Sequence, residues 1–388
     1  MRFALLGNHP DGLQMAQALV ETGRHELAAY SGPAHQWESG GLKAVRTVGD
    51  MEEILADPMI DAIIVAGDSG QRPLQLRRAL QSERHVLCVF PPDQSPDITY
   101  EAAMIQSDTR RVLLPILPGA LHPGIQRLGV LIQTTKPGPS WVIQWDRECG
   151  SSSDAGTQSK EKPLAAYFPG WEILQTLGGP IAEVSVFAEH SERMMTDPLL
   201  IAGRFERGGV FQVTLMAASS EPHWRLRLTA PALQAELDFT TGFSGPATLT
   251  WRDQSEACHK EEWPAQNLFR EMVKVFEDAV QRYEQAAGPT LGRDAPALVT
   301  WQDAIRCAEL DDAARRSVER RRASTLEYPE ATEEASFKGT MTLIGCGMLW
   351  LIVGLLVLSR WYPALLVVIV LMLTFFLALQ LLRLIVRK

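Results

Sequence analysis

A glycine-containing turn near the start of the chain is the first feature that could bind a ligand. The sequence RFALLGNHPDG places Gly7 and Gly12 directly after a short apolar run. In the pattern G-x-G-x-x-G, one glycine makes a tight turn, the next lets the backbone approach a pyrophosphate, and the last packs a helix on a strand. His9 holds the middle position, where its side chain would intrude on the pyrophosphate or contact a phosphate. Gly7, Asn8, His9 and Gly12 are therefore predicted to form a dinucleotide-binding turn, with an anion site at the helix that follows.

The spacing of the cysteines and the absence of two common motifs exclude several other kinds of site. Cys88, Cys149, Cys258, Cys307 and Cys346 are scattered singly, without a C-x-x-C pair. This spacing predicts reduced thiols, no disulfide framework and no metal site. The sequence also lacks the motif of a phosphate-binding GxxxxGK[ST] loop and the H-E-x-x-H motif.

The elements that position the glycine turn alternate between strands and helices over residues 1–120. Continuous apolar runs predict buried parallel strands over 2–6, 26–30, 61–66 and 85–90. Helical spacing predicts helices from the glycine turn to about residue 22, over 51–56 with Asp50 as cap, and over 73–81. This alternation predicts a Rossmann-like, doubly wound parallel sheet of the α/β class.

The pattern changes over residues 121–318. Short segments of alternating polarity predict strands. Two of them are 224–229, where Trp224, Leu226 and Leu228 share a face, and 233–239. Close spacing and the pair Gly208–Gly209 predict hairpins, and thus an α+β domain with a mainly antiparallel open sheet. Two helices are predicted after it, near 267–283 and over 297–318.

Two uncharged apolar segments follow a predicted juxtamembrane linker over 319–338. Residues 339–359 and 364–382 carry no charge over 21 and 19 residues, and each is long enough to cross a bilayer as a helix. Basic residues flank the pair on both outer sides, which predicts that both termini and the folded body lie in the cytoplasm. The chain is therefore expected to be a multi-pass protein of the inner (cytoplasmic) membrane, with the lipid bilayer as a partner.

The body of the chain is acidic. Residues 340–388 contain four basic residues and no acidic one, so the rest carries 33 basic and 46 acidic residues. Binding to nucleic acid needs a basic face, so a nucleic-acid partner is not expected.

Residues 1–318 resemble the Gfo/Idh/MocA oxidoreductases, the glucose–fructose oxidoreductase and inositol dehydrogenase family. The resemblance rests on RFALLGNHPDG, EEILADPMIDAIIVAG, RRALQSERHVLCVFPP and the late WQDAIRCAELDDAARRS, the first three in the family's order and spacing. It implies NAD or NADP as cofactor, a sugar- or polyol-like ligand and a homo-oligomer formed through the open sheet.

The resemblance also assigns site positions: it implies that Ser31, Arg72 and Pro91 contact the cofactor, and several of the family's positions hold other residues here. Ser31 stands where NAD-selective relatives have an acidic residue, and Arg72 where they have a histidine after the fourth strand. The family's Glu-Lys-Pro reads Val89, Phe90 and Pro91, so its proton-transferring lysine is replaced by a phenyl ring. Before the Leu-Gly corner at 177–178, where the family has a histidine and an aspartate, the candidate catalytic group is Glu172, without a histidine.

Two functions remain open from the sequence. One is a membrane-anchored, NAD(P)-dependent oxidoreductase acting on a sugar- or polyol-like substrate. The other is a catalytically inactive relative that serves at the membrane as a ligand sensor or scaffold, which the substitutions at His9, Arg72 and Phe90 favour.

Overall fold

The computed structural model describes residues 1–33, 45–135, 140–150, 168, 170–188, 198–218, 223–240, 243–253, 257–286, 299–320 and 324–325. The predicted membrane segments 339–359 and 364–382 lie outside these residues. Within the described ranges, no helix combines the length and the apolar character that crossing a bilayer requires.

Six parallel strands form the N-terminal sheet, in the order β3-β2-β1-β4-β5-β6. The strands are β1 (Arg2–Leu6), β2 (Glu26–Ser31), β3 (Arg46–Thr47), β4 (Ala62–Val65), β5 (His85–Val89) and β6 (Leu113–Ile116). The helices are α1 (Pro10–Glu21), α2 (Met51–Leu55), α3 (Arg72–Gln81) and α4 (Asp97–Thr109). The order reverses between β1 and β4, and ligands of such sheets bind at that point, outside the carboxyl ends of the strands.

Burial explains why these strands could be read from the sequence. Every residue of β4, β5 and β6 is buried, as expected for a parallel sheet whose strands are covered on both faces. The Asp50 side chain accepts a hydrogen bond from the Glu52 amide and caps α2 as predicted. The Rossmann-like sheet of the prediction is confirmed.

Nine strands form the second sheet, in the order β14-β13-β12-β11-β7-β10-β9-β8-β15. They are β7 (Val142–Gly150), β8 (Ile181–Ala188), β9 (Leu199–Phe205), β10 (Val210–Ala218), β11 (Trp224–Ala230), β12 (Leu233–Phe239), β13 (Ala247–Asp253), β14 (Cys258–Trp263) and β15 (Ser324–Thr325). The pairing of β7 with β10 is parallel, and the other neighbours pair antiparallel. This mixed sheet is mainly antiparallel, as predicted.

Four helices and a short 3-10 turn follow the strands of the N-terminal sheet. The turn Pro118–Leu121 leads from β6 to α5 (Pro123–Thr135), followed by α6 (Trp171–Gly178), α7 (Leu268–Ala286) and α8 (Trp301–Arg320). Helix α5 packs against α6 and against β12 and β13, and α8 packs against β8. Leu226 and Leu228 are buried beneath this layer, whereas Arg227 on the same strand is exposed.

Several elements were not predicted. Helix α4 buries only Thr99 and Ala102, so its sequence shows no apolar stripe at helical spacing. Helix α6 has eight residues, too few for a periodic pattern to stand out. Helix α8 extends to Arg320, and Ser324 pairs with Val184 of β8. Arg320 and Ser324 therefore belong to regular elements, although the sequence predicted a linker over 319–338.

Candidate functional site

The glycine turn lies at the switch point, and its two glycines are fixed by packing on one residue. Gly7 has φ +99°, and a Cβ there would lie 2.3 Å from the carbonyl carbon of Ala66. A Cβ on Gly12 would lie 2.2 Å from the Cβ of Ala66. Gly7, with its positive φ, therefore makes the tight turn beside the end of β4, and Gly12 allows α1 to pack on the sheet. These are the roles of the first and last glycines of the pattern.

His9 is the N-cap residue of α1. Its backbone amide donates to the carbonyl of Ala66 at 2.9 Å, and its Nδ1 accepts from the amide of Asp11 at 3.3 Å. Burial lowers the pKa of His9, an effect that the charge of Asp11 opposes and the charge of Arg72 reinforces. The imidazole is therefore neutral near pH 7, with Nδ1 as the acceptor. The side chain of His9 binds the end of its own helix.

This arrangement fits a pyrophosphate poorly. A dinucleotide at this turn needs backbone N–H groups at the start of α1, but Pro10 has none and the N–H of Asp11 is already bonded to His9. The carboxylate of Asp11 also adds negative charge in the first helical turn, where it would repel a phosphate. The helix N-terminus that the sequence suggested as an anion site thus offers no free N–H group at residues 10 and 11.

Arg72 connects the carboxyl ends of β4 and β5. Its side chain is buried; Nε and Nη2 donate to the carbonyl of Gly67 at 3.0 and 2.8 Å, and Nη1 donates to the carbonyl of Pro91. Gln75 accepts from the amide of Gly67 at 3.0 Å. Burial lowers the pKa of Arg72, although a guanidinium keeps its charge at any physiological pH. Arg72 and Pro91, both predicted to contact cofactor, therefore contact each other.

Ser31 ends β2 beside the turn. Its carbonyl accepts from the amide of Gly7 at 2.7 Å, which holds the turn against β2. The neighbouring Tyr30 is buried and donates from its hydroxyl to the carbonyl of Pro33 at 2.7 Å. The backbone of Ser31 thus has a structural task, and its part in choosing between NAD and NADP stays a prediction.

The positions that the resemblance gives to proton transfer are held by buried rings. Phe90, directly after β5, is 6% exposed, and Phe168, before α6, is 0% exposed. Phe168 and Trp171 have the spacing of a His-x-x-Asp pair, and their rings meet edge to face at 4.9 Å. Trp145 packs against Phe168 at 5.4 Å. An aromatic cluster of Trp145, Phe168 and Trp171 therefore fills the start of α6.

Glu172 is the candidate catalytic residue, and its carboxyl is unusual. Its Oε2 is buried and has no hydrogen-bond partner among the described residues. Burial raises the pKa of Glu172 to about 7, although the charge of Arg147 and the backbone at the start of α6 favour the ionised form. A carboxyl with this pKa can exchange a proton near neutral pH, which suits a general acid or base.

Asp311 on α8 is a second buried carboxyl, one that the sequence analysis missed. It is 7% exposed, and its Oδ1 accepts from the amide of Phe168 at 3.0 Å. Burial raises its pKa to about 7. Its signal in the sequence was an acidic residue on the apolar face of α8, three positions after Ala308 and three before Ala314.

His122, directly before α5, is packed in the core. It is fully buried, its Nδ1 accepts from the amide of Gly124 at 3.0 Å, and its ring lies 4.9 Å from Phe239. Burial lowers its pKa to about 4. Among the residues with described positions, no group of three or more His, Cys, Asp or Glu side chains could hold a metal ion.

Comparison with solved structures identifies the architecture. The chain is similar to a levoglucosan dehydrogenase solved with NADH and L-sorbose, at 12% identity and a TM-score of 0.67, over 84% of this chain and 99% of that one. The fold is that of the NAD(P)-dependent oxidoreductases. The chain is also similar to UDP-N-acetylglucosamine 3-dehydrogenase from Acidithiobacillus ferrooxidans, at 15% identity and a TM-score of 0.65, over 82% and 98% of the two chains.

A third similar structure is an oxidoreductase from Agrobacterium radiobacter with NAD+, L-tartaric acid and magnesium, at 12% identity and a TM-score of 0.63, over 84% and 98% of the two chains. No family model matches the chain, and no curated protein matches it significantly. At such low identity the likeness establishes the fold, and the residues of the site decide the chemistry.

Proposed function

We propose that this chain is a membrane-tethered ligand-binding protein built on the oxidoreductase fold, and that it does not transfer hydride. The observation that carries the proposal is the burial of Phe90 and Phe168 at positions where the resemblance places a lysine and a histidine. A phenyl ring can neither donate nor accept the proton that accompanies oxidation of a hydroxyl group. The occupied N-terminus of α1 adds support, because it offers few donors to a dinucleotide.

The test is a titration of the purified full-length chain with NADH and NADPH, followed by nicotinamide fluorescence, together with turnover assays on a panel of sugars and polyols. We expect no saturable binding at millimolar cofactor and no turnover. Phe90→Lys, which restores the amine, should remain inactive because Phe168 and the α1 cap are unchanged. Reduction of NAD+ or NADP+ by the unaltered chain with any polyol would overturn the proposal.

An active NAD(P)-dependent oxidoreductase on a sugar- or polyol-like substrate is the second candidate. It is favoured by Glu172, whose raised pKa of about 7 suits acid–base work. Under this alternative, cofactor binds in the micromolar range and Glu172→Gln abolishes turnover without changing cofactor affinity. The titration above separates the two candidates directly.

The membrane tether is supported by residues 339–359 and 364–382, whose uncharged lengths of 21 and 19 residues suit two bilayer crossings. The flanking basic residues favour a cytoplasmic body, on the inner face of the cell membrane. A chain that ends at residue 330 should move from the membrane fraction to the soluble fraction. Recovery of the full-length chain in the soluble fraction without detergent would refute the tether.

Self-association is part of the same proposal. The resemblance implies pairing through the open sheet, and Phe187 on β8 and Met216 on β10 are 63% and 47% exposed on the described strands. Light scattering of the full-length chain in detergent should report a homo-oligomer, and Phe187→Lys should reduce its mass to that of the monomer. A monomer at all concentrations would refute this part.

A further inference from the structure

A pocket lies between α5, α6 and α8, next to the turn that follows β6. Its volume is about 290 Å³, at the small end of the range for ligand pockets. We call it the α8 pocket, because that helix supplies two groups of opposite charge. Its polar lining consists of Gln126 on α5, Glu172, Gln175 and Thr176 on α6, and Asp303 and Arg306 on α8.

Asp303 presents one carboxylate oxygen without a hydrogen bond. Its Oδ2 accepts from the amide and the hydroxyl of Thr300, at 2.8 and 2.7 Å, which fixes the side chain at the start of α8. Its Oδ1 accepts no hydrogen bond in the described part of the chain and, unlike Oε2 of Glu172, is not a buried atom. The side chain is 32% exposed and lines the pocket. Oδ1 can therefore accept from a ligand.

Arg306 presents a guanidinium whose donors are unused. It makes no hydrogen bond to another described residue, and its side chain is 38% exposed. Glu309, one turn further along α8, accepts from the hydroxyl of Tyr100 instead. A guanidinium carries five N–H donors in a planar fork that matches a carboxylate. Arg306 can therefore bind the carboxylate of a ligand.

The distance between these two groups indicates the ligand. Nη1 of Arg306 and Oδ1 of Asp303 are 4.0 Å apart, too far for a hydrogen bond. A free α-amino acid carries its ammonium and its carboxylate on one carbon atom, about 2.5 Å apart across two bonds of about 1.5 Å. When such a molecule lies alongside the pair, its carboxylate contacts the guanidinium and its ammonium contacts Oδ1. Each charge then has a partner of opposite sign.

The charges of the pocket disfavour simpler ions. A monocarboxylate at Arg306 would lie beside the carboxylate of Asp303, and an amine at Asp303 would lie beside the guanidinium. Each would meet a like charge at short range, which costs free energy. A zwitterion meets both charges with the favourable sign. Because Oε2 of Glu172 is buried, we assign Glu172 no contact with the ligand.

The apolar lining indicates the side chain of the amino acid. Leu117, Ala120, Pro180 and Val299 contribute surfaces that form no side-chain hydrogen bonds. Burial of aliphatic groups against such surfaces is favourable. The small volume of the pocket suits a short aliphatic side chain, such as that of valine or leucine.

We propose that the α8 pocket binds a small free α-amino acid with an aliphatic side chain, held by Arg306 and Asp303. This deepens the ligand-binding function proposed above and rests on it. The carboxylate of the ligand accepts from the guanidinium of Arg306, and its ammonium donates to Oδ1 of Asp303. Its side chain packs against the apolar lining.

The test uses the full-length chain in a non-ionic detergent and a buffer without amino acids. L-alanine, L-valine and L-leucine are titrated by calorimetry, and we expect saturable binding of valine or leucine. Two analogues of leucine each lack one charge: leucinamide has no carboxylate, and 4-methylpentanoate has no ammonium. Each should bind about tenfold more weakly or worse, because one ionic contact is lost.

Variants test the same contacts from the side of the protein. Arg306→Gln removes the guanidinium and Asp303→Asn removes the negative charge, and each should weaken binding by about tenfold or more. Arg320→Gln is the matched control, because Arg320 is exposed at the end of α8, and it should bind as the unaltered chain does. Urea unfolding checks that each variant is folded, and the analogues test both contacts on the unaltered chain.

The proposal is supported if valine or leucine binds and if Arg306→Gln and leucinamide each show the expected loss of affinity. It is overturned if none of the amino acids binds saturably, or if folded Arg306→Gln binds as tightly as the unaltered chain. Equal affinity for leucine and 4-methylpentanoate would also overturn it, because the pocket would then bind a carboxylate alone.

The same preparations separate this proposal from the proposed function. Amino-acid binding accompanied by reduction of NAD+ or NADP+ would overturn the absence of hydride transfer and leave the α8 pocket in place. No amino-acid binding and no turnover would overturn the α8 pocket and leave the absence of hydride transfer in place.

Discussion

The buried carboxyl of Glu172 should make the stability of the folded body depend on pH, and Glu172→Gln should remove that dependence. Glutamine has nearly the same shape and stays neutral at every pH. In the folded chain Oε2 of this carboxyl is shielded from water and has no hydrogen-bond partner in the described part of the chain. Its ionisation therefore costs more in the folded state than in the unfolded state, where water surrounds it.

The magnitude follows from the pKa. The carboxyl of Glu172 has an ordinary pKa of 4.5 and a pKa of about 7 in the folded chain. Between these values the folded state keeps a proton that the unfolded state has released, so the free energy of unfolding falls as pH rises through this window. At about 1.4 kcal/mol per pKa unit, the loss is at most about 3 kcal/mol. This loss of stability is complete at pH values above the pKa of Glu172 in the folded chain, and it is absent below the pKa of Glu172 in the unfolded chain.

The assay is urea unfolding followed by tryptophan fluorescence, on the full-length chain in one non-ionic detergent. We expect Glu172→Gln and the unaltered chain to be equally stable at about pH 4, and the variant to be more stable at about pH 8 by up to about 3 kcal/mol. Asp311, whose pKa is also raised to about 7, is present in both proteins and cancels in the difference.

Glu319→Gln is the matched control, because the same exchange at an exposed position should change stability at neither pH. A difference between Glu172→Gln and the unaltered chain that does not vary with pH would refute the reasoning. So would a variant that is less stable at about pH 8, since it would mean that the carboxylate is satisfied in the folded chain.

Three further changes test the crevice at the switch point. Gly7→Ala should destabilise the body by about 2–4 kcal/mol in urea unfolding, because φ is +99° and the new Cβ would lie 2.3 Å from the backbone of Ala66. Unchanged stability would contradict this close approach. His9→Gly frees the N–H of Asp11 and should strengthen NADH binding in a fluorescence titration, whereas an unchanged titration would show that the cap is not the obstacle. Arg72→Met removes the donors to the carbonyls of Gly67 and Pro91 and should lower the free energy of unfolding by about 2–4 kcal/mol. A loss below about 0.5 kcal/mol would refute the role of Arg72 in joining the ends of β4 and β5.

The fold could be predicted where burial and periodicity coincide. Strand β12 was predicted with its observed ends, Leu233–Phe239, because it alternates buried and partly exposed residues without interruption. Strand β4 was readable because all four of its residues are buried. Helix α4 was not, because only Thr99 and Ala102 are buried on it and they form no apolar stripe at helical spacing. Sequence patterns therefore report how an element packs, and an element that packs weakly leaves little pattern.

The site could be predicted only in part. Gly7 and Gly12 were found because their spacing follows from the geometry of a turn. The contact of Arg72 with Pro91 joins residues 19 apart in the chain, and nothing in either local sequence indicates it. The surroundings of Glu172 are harder still to predict, since α6 and α8 pack together only in the folded chain. Their shared environment arises from tertiary structure.

The polar groups at the switch point share one property that separates them from Glu172. His9 bonds the amide of its own helix, and Arg72 bonds two backbone carbonyls. A group that has satisfied its hydrogen bonds inside the protein gains little from a ligand, because it must first give those bonds up. The Oε2 atom of Glu172, by contrast, is buried and has no hydrogen-bond partner among the described residues. A small molecule that bound above the glycine turn would therefore gain little free energy from His9 or Arg72, because both already make these bonds inside the protein.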